Sequence, residues 1–186
     1  MSSKPTLRAD ARRNRERVLT AAHEAFAEEG PMVPLDEIAR RAGVGAGTVY
    51  RHFPSKEALY EAVIVDRIEQ MTEQARQLAD AGGDAGETFF DFLEMVAEKA
   101  MLNLALCDAL EGDEHYTAGL STAAAFHHQL GRLLAHAQEA GEVRDDIEAS
   151  DMHALIAGYV AIQRRSGTGK GLGHVLTDGL RARGSR

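Results

Sequence analysis

Between residues 45 and 56 the chain collects a guanidinium (Arg51), an ammonium (Lys56), two hydroxyls (Thr48 and Tyr50) and an imidazole (His52). The backbone beside them is almost free of bulk at Gly45, Ala46 and Gly47. Such a set donates to phosphate oxygens and to nucleobase edges, and the small residues let the main chain approach a duplex closely. Other chemistry is poorly served. Cys107 lies in an apolar run with no adjacent cation, where a thiol stays protonated and inert. His115, His127, His128 and His136 are close in sequence, but His128 and His136 are too far apart on a helix to share an ion. Neither a cysteine pair nor a Glu-x-x-His accompanies them. Ser166 to Gly171 is glycine-rich and basic, yet it lacks the spacing of a phosphate loop and a preceding strand. No base and nucleophile form a pair, so the sequence implies neither an enzyme nor a cofactor.

The residues around Arg51 supply the helices that must present it. Pro34 has the fixed φ of a first helical position, and Asp36 and Glu37 put negative charge at the positive end of the helix dipole. Gly43 accepts a left-handed cap, so Ala42-Gly43-Val44 reads as a turn. A second helix then runs from about Gly45 to Phe53, and Pro54 ends it. Ile38, Ala39, Val49 and Phe53 recur at helical spacing and face inward, which leaves Gly47, Thr48, Tyr50, Arg51 and His52 facing out. This is the spacing of a helix-turn-helix, though the same face on an ordinary small helix would simply be solvated. Lys56 supplies context. With Ser55 as N-cap, Lys56 falls in the first turn of the next helix, where a cation is unfavourable until an anion such as a DNA phosphate joins it.

Ile38-Ala39, Ala42-Gly43-Val44, Gly47-Thr48, Tyr50, His52-Phe53 and Lys56-Glu57-Ala58-Leu59 together resemble the DNA-binding domain of the TetR/AcrR family of transcriptional regulators. The resemblance covers Arg12 to Val63 without gaps and adds the first helix that precedes the motif. It implies that Gly45, Ala46, Gly47, Thr48, Tyr50, Arg51, His52 and Lys56 meet double-stranded DNA. At Val33-Pro34 the chain departs from the family, whose usual Thr or Ser caps the second helix and contacts a phosphate. That hydroxyl contact is not carried over.

The chain has 186 residues and a net charge of −8, which as an average argues against a nucleic-acid partner. Divided, it does not. Residues 1–62 carry 10 Lys and Arg against 9 Asp and Glu, and residues 63–186 carry 11 against 20. The boundary in charge matches an expected division into a DNA-binding domain, 1–62, and a helical domain, 63–186. Basic residues concentrate again in Lys4, Arg8, Arg12, Arg13, Arg15 and Arg17, an arm leading into a first helix that starts near Asp10 and stops at Gly30-Pro31. On that helix His23 reads as a packing or surface histidine. One cysteine, no apolar run of membrane length and no signal-peptide pattern read as a cytoplasmic protein without a membrane partner.

All four prolines lie at or before residue 54, and beyond them helical periodicity is broken only by glycine-rich gaps, so the expected fold is all-α. The helices are expected over Ser55 to Asp80, Glu87 to about Glu111 as two helices, Gly119 to Ala140, Asp151 to about Gln163 with Ser150 as N-cap, and His174 to Leu180. The resemblance implies a cavity for an unidentified small-molecule effector among them, and Phe90, Met101, Leu104, Cys107, Tyr116 and Phe126 are its candidate lining. It also implies a homodimer, with Met152, Leu155, Ile156, Gly158, Tyr159 and Ile162 at the interface. Together these expectations describe a repressor released from a palindromic operator by its ligand. The reading from another class is a helical protein-interaction module whose basic segment serves solubility.

Overall fold

Glycine and proline punctuate the chain into helices in the computed structural model, which describes residues 7–30, 32–102, 120–166 and 170–182. Here α1 spans Leu7–Glu29, α2 Leu35–Ala42, α3 Ala46–His52, α4 Lys56–Ala81, α5 Ala85–Leu102, α6 Leu120–Glu139, α7 Ala149–Ser166 and α8 Lys170–Leu180. Among the described residues the only extended pairing is an antiparallel bridge between Val143 and Arg181. Contacts divide the chain into two compact units, Met1–Asp66 and Arg67–Arg186, so the division falls inside α4. The charge partition had put it at residue 62.

In the first unit α1, α2 and α3 pack on one another. Val18, Leu19, Ala22, Ala25 and Phe26 of α1 meet Ile38 and Ala39 of α2, Val49 of α3, and Phe53, Leu59 and Val63 in one buried cluster. Each large side chain withdrawn from water there stabilises the unit by about 1.5–3 kcal/mol. Phe26 also meets Tyr60 edge to face, with ring centroids 5.2 Å apart. Helix α1 begins at Leu7, earlier than the expected Asp10.

Pro34 stands one position outside α2, as its N-cap rather than its first residue. Its carbonyl accepts from the amides of Glu37 and Ile38, and it offers no side-chain cap. Carboxylates at Glu28 and Glu29 sit on the last turn of α1, where the dipole disfavours them. Arg41 of α2 offsets this by pairing with both, and with Glu37 at 3.0 Å. Glu37 also holds Arg40 at 2.7 Å. Hydrogen bonds from Arg40 and then Arg41 pull the Glu37 carboxyl down to about 2.

In the second unit α5 packs on α6 and α7, α6 on α7, and α7 on α8. Phe89, Phe92, Leu93, Phe126, Leu130 and Met152 are fully buried there, with Ile68 and Met71 from the later part of α4. Gly82 and Gly83 break α4 from α5 at positive φ, and the Asp84 carboxylate caps α5 by accepting from the Glu87 amide at 2.8 Å. The start of α7 differs from expectation. The helix opens at Ala149, and the Asp151 carboxylate reaches back to the Glu148 amide at 2.8 Å, the return half of a capping box, so Ser150 is exposed inside the helix. Near the C-terminus the Arg144 amide donates to the Leu180 carbonyl and the Ala182 amide to that of Glu142. The Arg181 guanidinium lies 4.5 Å from the centroid of the Phe90 ring.

Candidate nucleic-acid interface

Helix α2 ends because Gly43 takes a left-handed conformation, φ 61°. The Gly43 amide then donates to Arg40 and the Val44 amide to Ala39, which closes the helix in a Schellman turn. The turn delivers Gly45, with φ −69° and ψ 144°, as the N-cap of α3, and the Thr48 amide bonds the Gly45 carbonyl at 2.8 Å. Helix α3 has seven residues, of which only Val49 is buried. Gly45, Ala46, Gly47, Tyr50 and Arg51 are therefore exposed, while Thr48 and His52 are half-buried at the margins of the same face. No neighbouring heavy atom stands within 4 Å of where a Cβ would sit on Gly45 or Gly47, so the approach to the backbone is open.

Phe53 ends α3 as a buried C-cap, its amide bonded to the Val49 carbonyl. The Ser55 hydroxyl then accepts from the Ala58 amide at 3.1 Å, the capping role expected of it, and α4 starts at Lys56. Lys56 is half-buried beside Glu57, whose carboxyl its own backbone amide and the Ser55 hydroxyl hold below the usual range. Among the described residues neither Arg51 nor Lys56 enters a salt bridge, unlike Arg40 and Arg41 on α2.

Two arginines of α1 belong to this neighbourhood and were missed. Within the basic segment read as an arm leading into the first helix, Arg17 donates to the Gly43 carbonyl at 3.1 Å and Arg15 lies 5.6 Å from the Phe53 ring centroid. Nothing in the spacing signals a partner at such sequence separation. His23 is largely buried, with Nε2 3.4 Å from the Asp66 carboxylate, in keeping with a packing histidine.

The other candidate residues are more dispersed. Phe90 and Phe126 are buried in the second unit, and neither is among the described residues that line two clefts there. One cleft of about 420 Å³ is lined by Gln74, Leu78, Glu87, Thr88, Asp91, Phe92 and Met95, the other by Glu69, Thr72, Glu73, Thr122 and Ala125. Met101 belongs to α5; Leu104, Cys107 and Tyr116 lie outside the described residues, as does part of the Ser166–Gly171 segment. Burial holds the His127 imidazole below its ordinary pKa. On α7, Leu155, Gly158, Tyr159 and Ile162 are partly or fully exposed. Met152 and Ile156 of the same helix are buried, 0% and 3% exposed within the single chain.

Comparison with known proteins decides the family. Residues 18–63 match the model of bacterial regulatory proteins of the tetR family, and residues 84–182 match the C-terminal domain of SbtR-like transcriptional regulators. The chain belongs to the TetR family. A TetR transcription regulatory protein from Mycobacterium vanbaalenii is 46% identical, with a TM-score of 0.74 over 95% of this chain and 100% of that one. A TetR regulator from Streptomyces coelicolor is 32% identical, with a TM-score of 0.73 over 90% and 98%. An HTH-type transcriptional regulator of Staphylococcus aureus strain USA300 is 32% identical over 106 residues, 56% of this chain and 57% of the relative. The chain thus spans little more than half the length of the curated relatives it matches. TetR-family regulators are DNA-binding transcription factors, not enzymes. No helix among the described residues is long and apolar enough to cross a membrane.

Proposed function

We propose that this TetR-family chain is a cytoplasmic, homodimeric repressor that holds a palindromic operator until a small molecule occupies its helical second unit. The observation that carries this reading is the face Gly45–His52 followed by Lys56: a short helix whose outward side holds one two-pronged donor, small residues and an open backbone. Gly45, Ala46, Gly47, Thr48, Tyr50 and His52 lie against the major groove and its phosphates, Arg51 reads a guanine edge, and Lys56 grips a phosphate at the start of α4. Two-fold symmetry of the dimer then requires a two-fold site. Leu155, Gly158, Tyr159 and Ile162 present the exposed part of the dimer face on α7, and Met152 and Ile156, buried within the chain, support it. We place the functional boundary at residue 62, just before the division that packing draws between Asp66 and Arg67.

The same α4 that begins at Lys56 carries Ile68, Met71 and Ala75 in the core of the second unit. A ligand that binds the DNA-free conformation more tightly releases the operator, and one with equal affinity for both states does nothing. The coupling is reciprocal, so operator must weaken ligand binding by the factor that ligand weakens operator binding.

Selection of duplexes from a random pool, followed by comparison of Arg51→Ala with Lys56→Ala, tests the reading. Arg51→Ala costs about 1–3 kcal/mol per guanine contacted and relaxes one position in each half-site. Lys56→Ala weakens all duplexes alike and lowers the salt slope by about 0.9 for each phosphate that the ammonium no longer neutralises. Equal effects of both changes on every sequence contradict the assignment.

A further inference from the structure

Helix α3 is too short to fix its own pose: isolated helices below about 12–15 residues are marginal in water, and α3 has seven residues and one buried side chain. Its direction must be set at its two ends. Just before it, the Gly43 carbonyl accepts a hydrogen bond from the Arg17 guanidinium at 3.1 Å. At its close, the Phe53 ring lies under the Arg15 guanidinium at 5.6 Å. Both arginines come from α1, two positions apart, and both are exposed. The space over Gly43 is filled by Arg17, since a Cβ there would stand 2.6 Å from Arg17 Nη2.

We infer that Arg15 and Arg17 are positioning residues for sequence reading, together clamping the two ends of α3 so that Arg51 meets a base edge at one fixed angle. The inference rests on the DNA-reading assignment above. Both roles need a planar guanidinium. A hydrogen bond directed at the turn carbonyl and a flat cation over an aromatic face are poorly reproduced by the compact ammonium of lysine, although lysine keeps the charge. Charge and geometry can therefore be separated. If the pair merely adds phosphate contacts, lysine serves as well as arginine; if it aims α3, lysine does not.

The test is the double variant Arg15→Lys/Arg17→Lys, compared with wild type on a duplex selected by the wild-type protein and on a scrambled duplex, across a salt series. The preference for the selected duplex should fall about five- to tenfold, the loss expected for one or two weak polar contacts, while the salt slope is unchanged. A wild-type preference in the double-lysine variant overturns the inference and leaves the DNA-reading assignment standing. A wild-type protein with no sequence preference defeats that assignment instead. Amide hydrogen exchange in the free protein gives an independent readout that needs no DNA. Exchange at Thr48 and Phe53 should accelerate about fivefold in the variant relative to amides in α1, and unchanged exchange refutes the clamp. Both substitutions are on exposed positions, and a helical circular-dichroism spectrum matching wild type identifies a folded variant.

Discussion

Gly43→Ala isolates the energetic demand of the turn between α2 and α3. At φ 61° a Cβ crowds the following carbonyl, which costs about 1–2 kcal/mol for a residue other than glycine. The new methyl would also stand 2.6 Å from Arg17 Nη2, but that atom ends a long flexible side chain and can swing aside. Its departure forfeits only one exposed hydrogen bond, so backbone strain dominates. A chain of this size loses about 2–4 °C in unfolding midpoint for each kcal/mol, and the expected shift is therefore about 2–8 °C. Thermal unfolding followed by circular dichroism measures it, and repeating the substitution in an Arg17→Ala background apportions it. If strain dominates, the shift persists in that background, and Gly43→Asn, which tolerates the left-handed region better, is milder. A Gly43→Ala protein within about 0.5 kcal/mol of wild type would refute the reasoning. A shift that vanishes without Arg17 would instead make the steric contact the cause.

Other perturbations separate stability from recognition. Gly47→Ala should stabilise the protein by about 0.5–1 kcal/mol, because the site is helical and open, yet weaken DNA binding by adding bulk to the face proposed to meet the duplex; thermal unfolding and gel retardation check the two signs. Glu37, held at about 2 by Arg40 and Arg41, contributes stability that is complete above the unfolded carboxylate value and is lost as pH falls through it towards 2. Glu37→Gln should therefore flatten the fall in unfolding midpoint between pH 5 and about 2, and an unchanged acid limb excludes the role. Gly158→Arg places a charge on an exposed position of α7 with nothing within 4 Å of its Cβ site, so the subunit should stay helical while sedimentation reports monomers. A dimeric variant moves the interface elsewhere.

Short-range punctuation was legible in the sequence, and long-range partnership was not. Gly43, Pro54 and Ser55 act on the backbone within a few residues of themselves, so the turn, the end of α3 and the cap of α4 follow from residue type. Pro34 shows the limit of that logic, because a fixed φ near −66° suits an N-cap as well as a first helical residue. At α7 both Ser150 and Asp151 can cap, and only the geometry shows that Asp151 reaches back to Glu148. Periodicity reports that a face of α7 is apolar and not how far its own chain covers it, so the burial of Met152 and Ile156 was not legible. The roles of Arg15 and Arg17 depend on Phe53 and Gly43, which only the fold brings near them.

Val49 is the sole anchor of α3 in the hydrophobic core, and this divides the labour of heredity along the helix. A change at Val49 is paid in folding, whereas changes at Gly47, Tyr50 or Arg51 leave the core untouched. The same separation makes the outward face transplantable: exchanging it for that of another regulator, with Val49, Phe53 and the flanking turn retained, should retarget the protein while its scaffold melts as before.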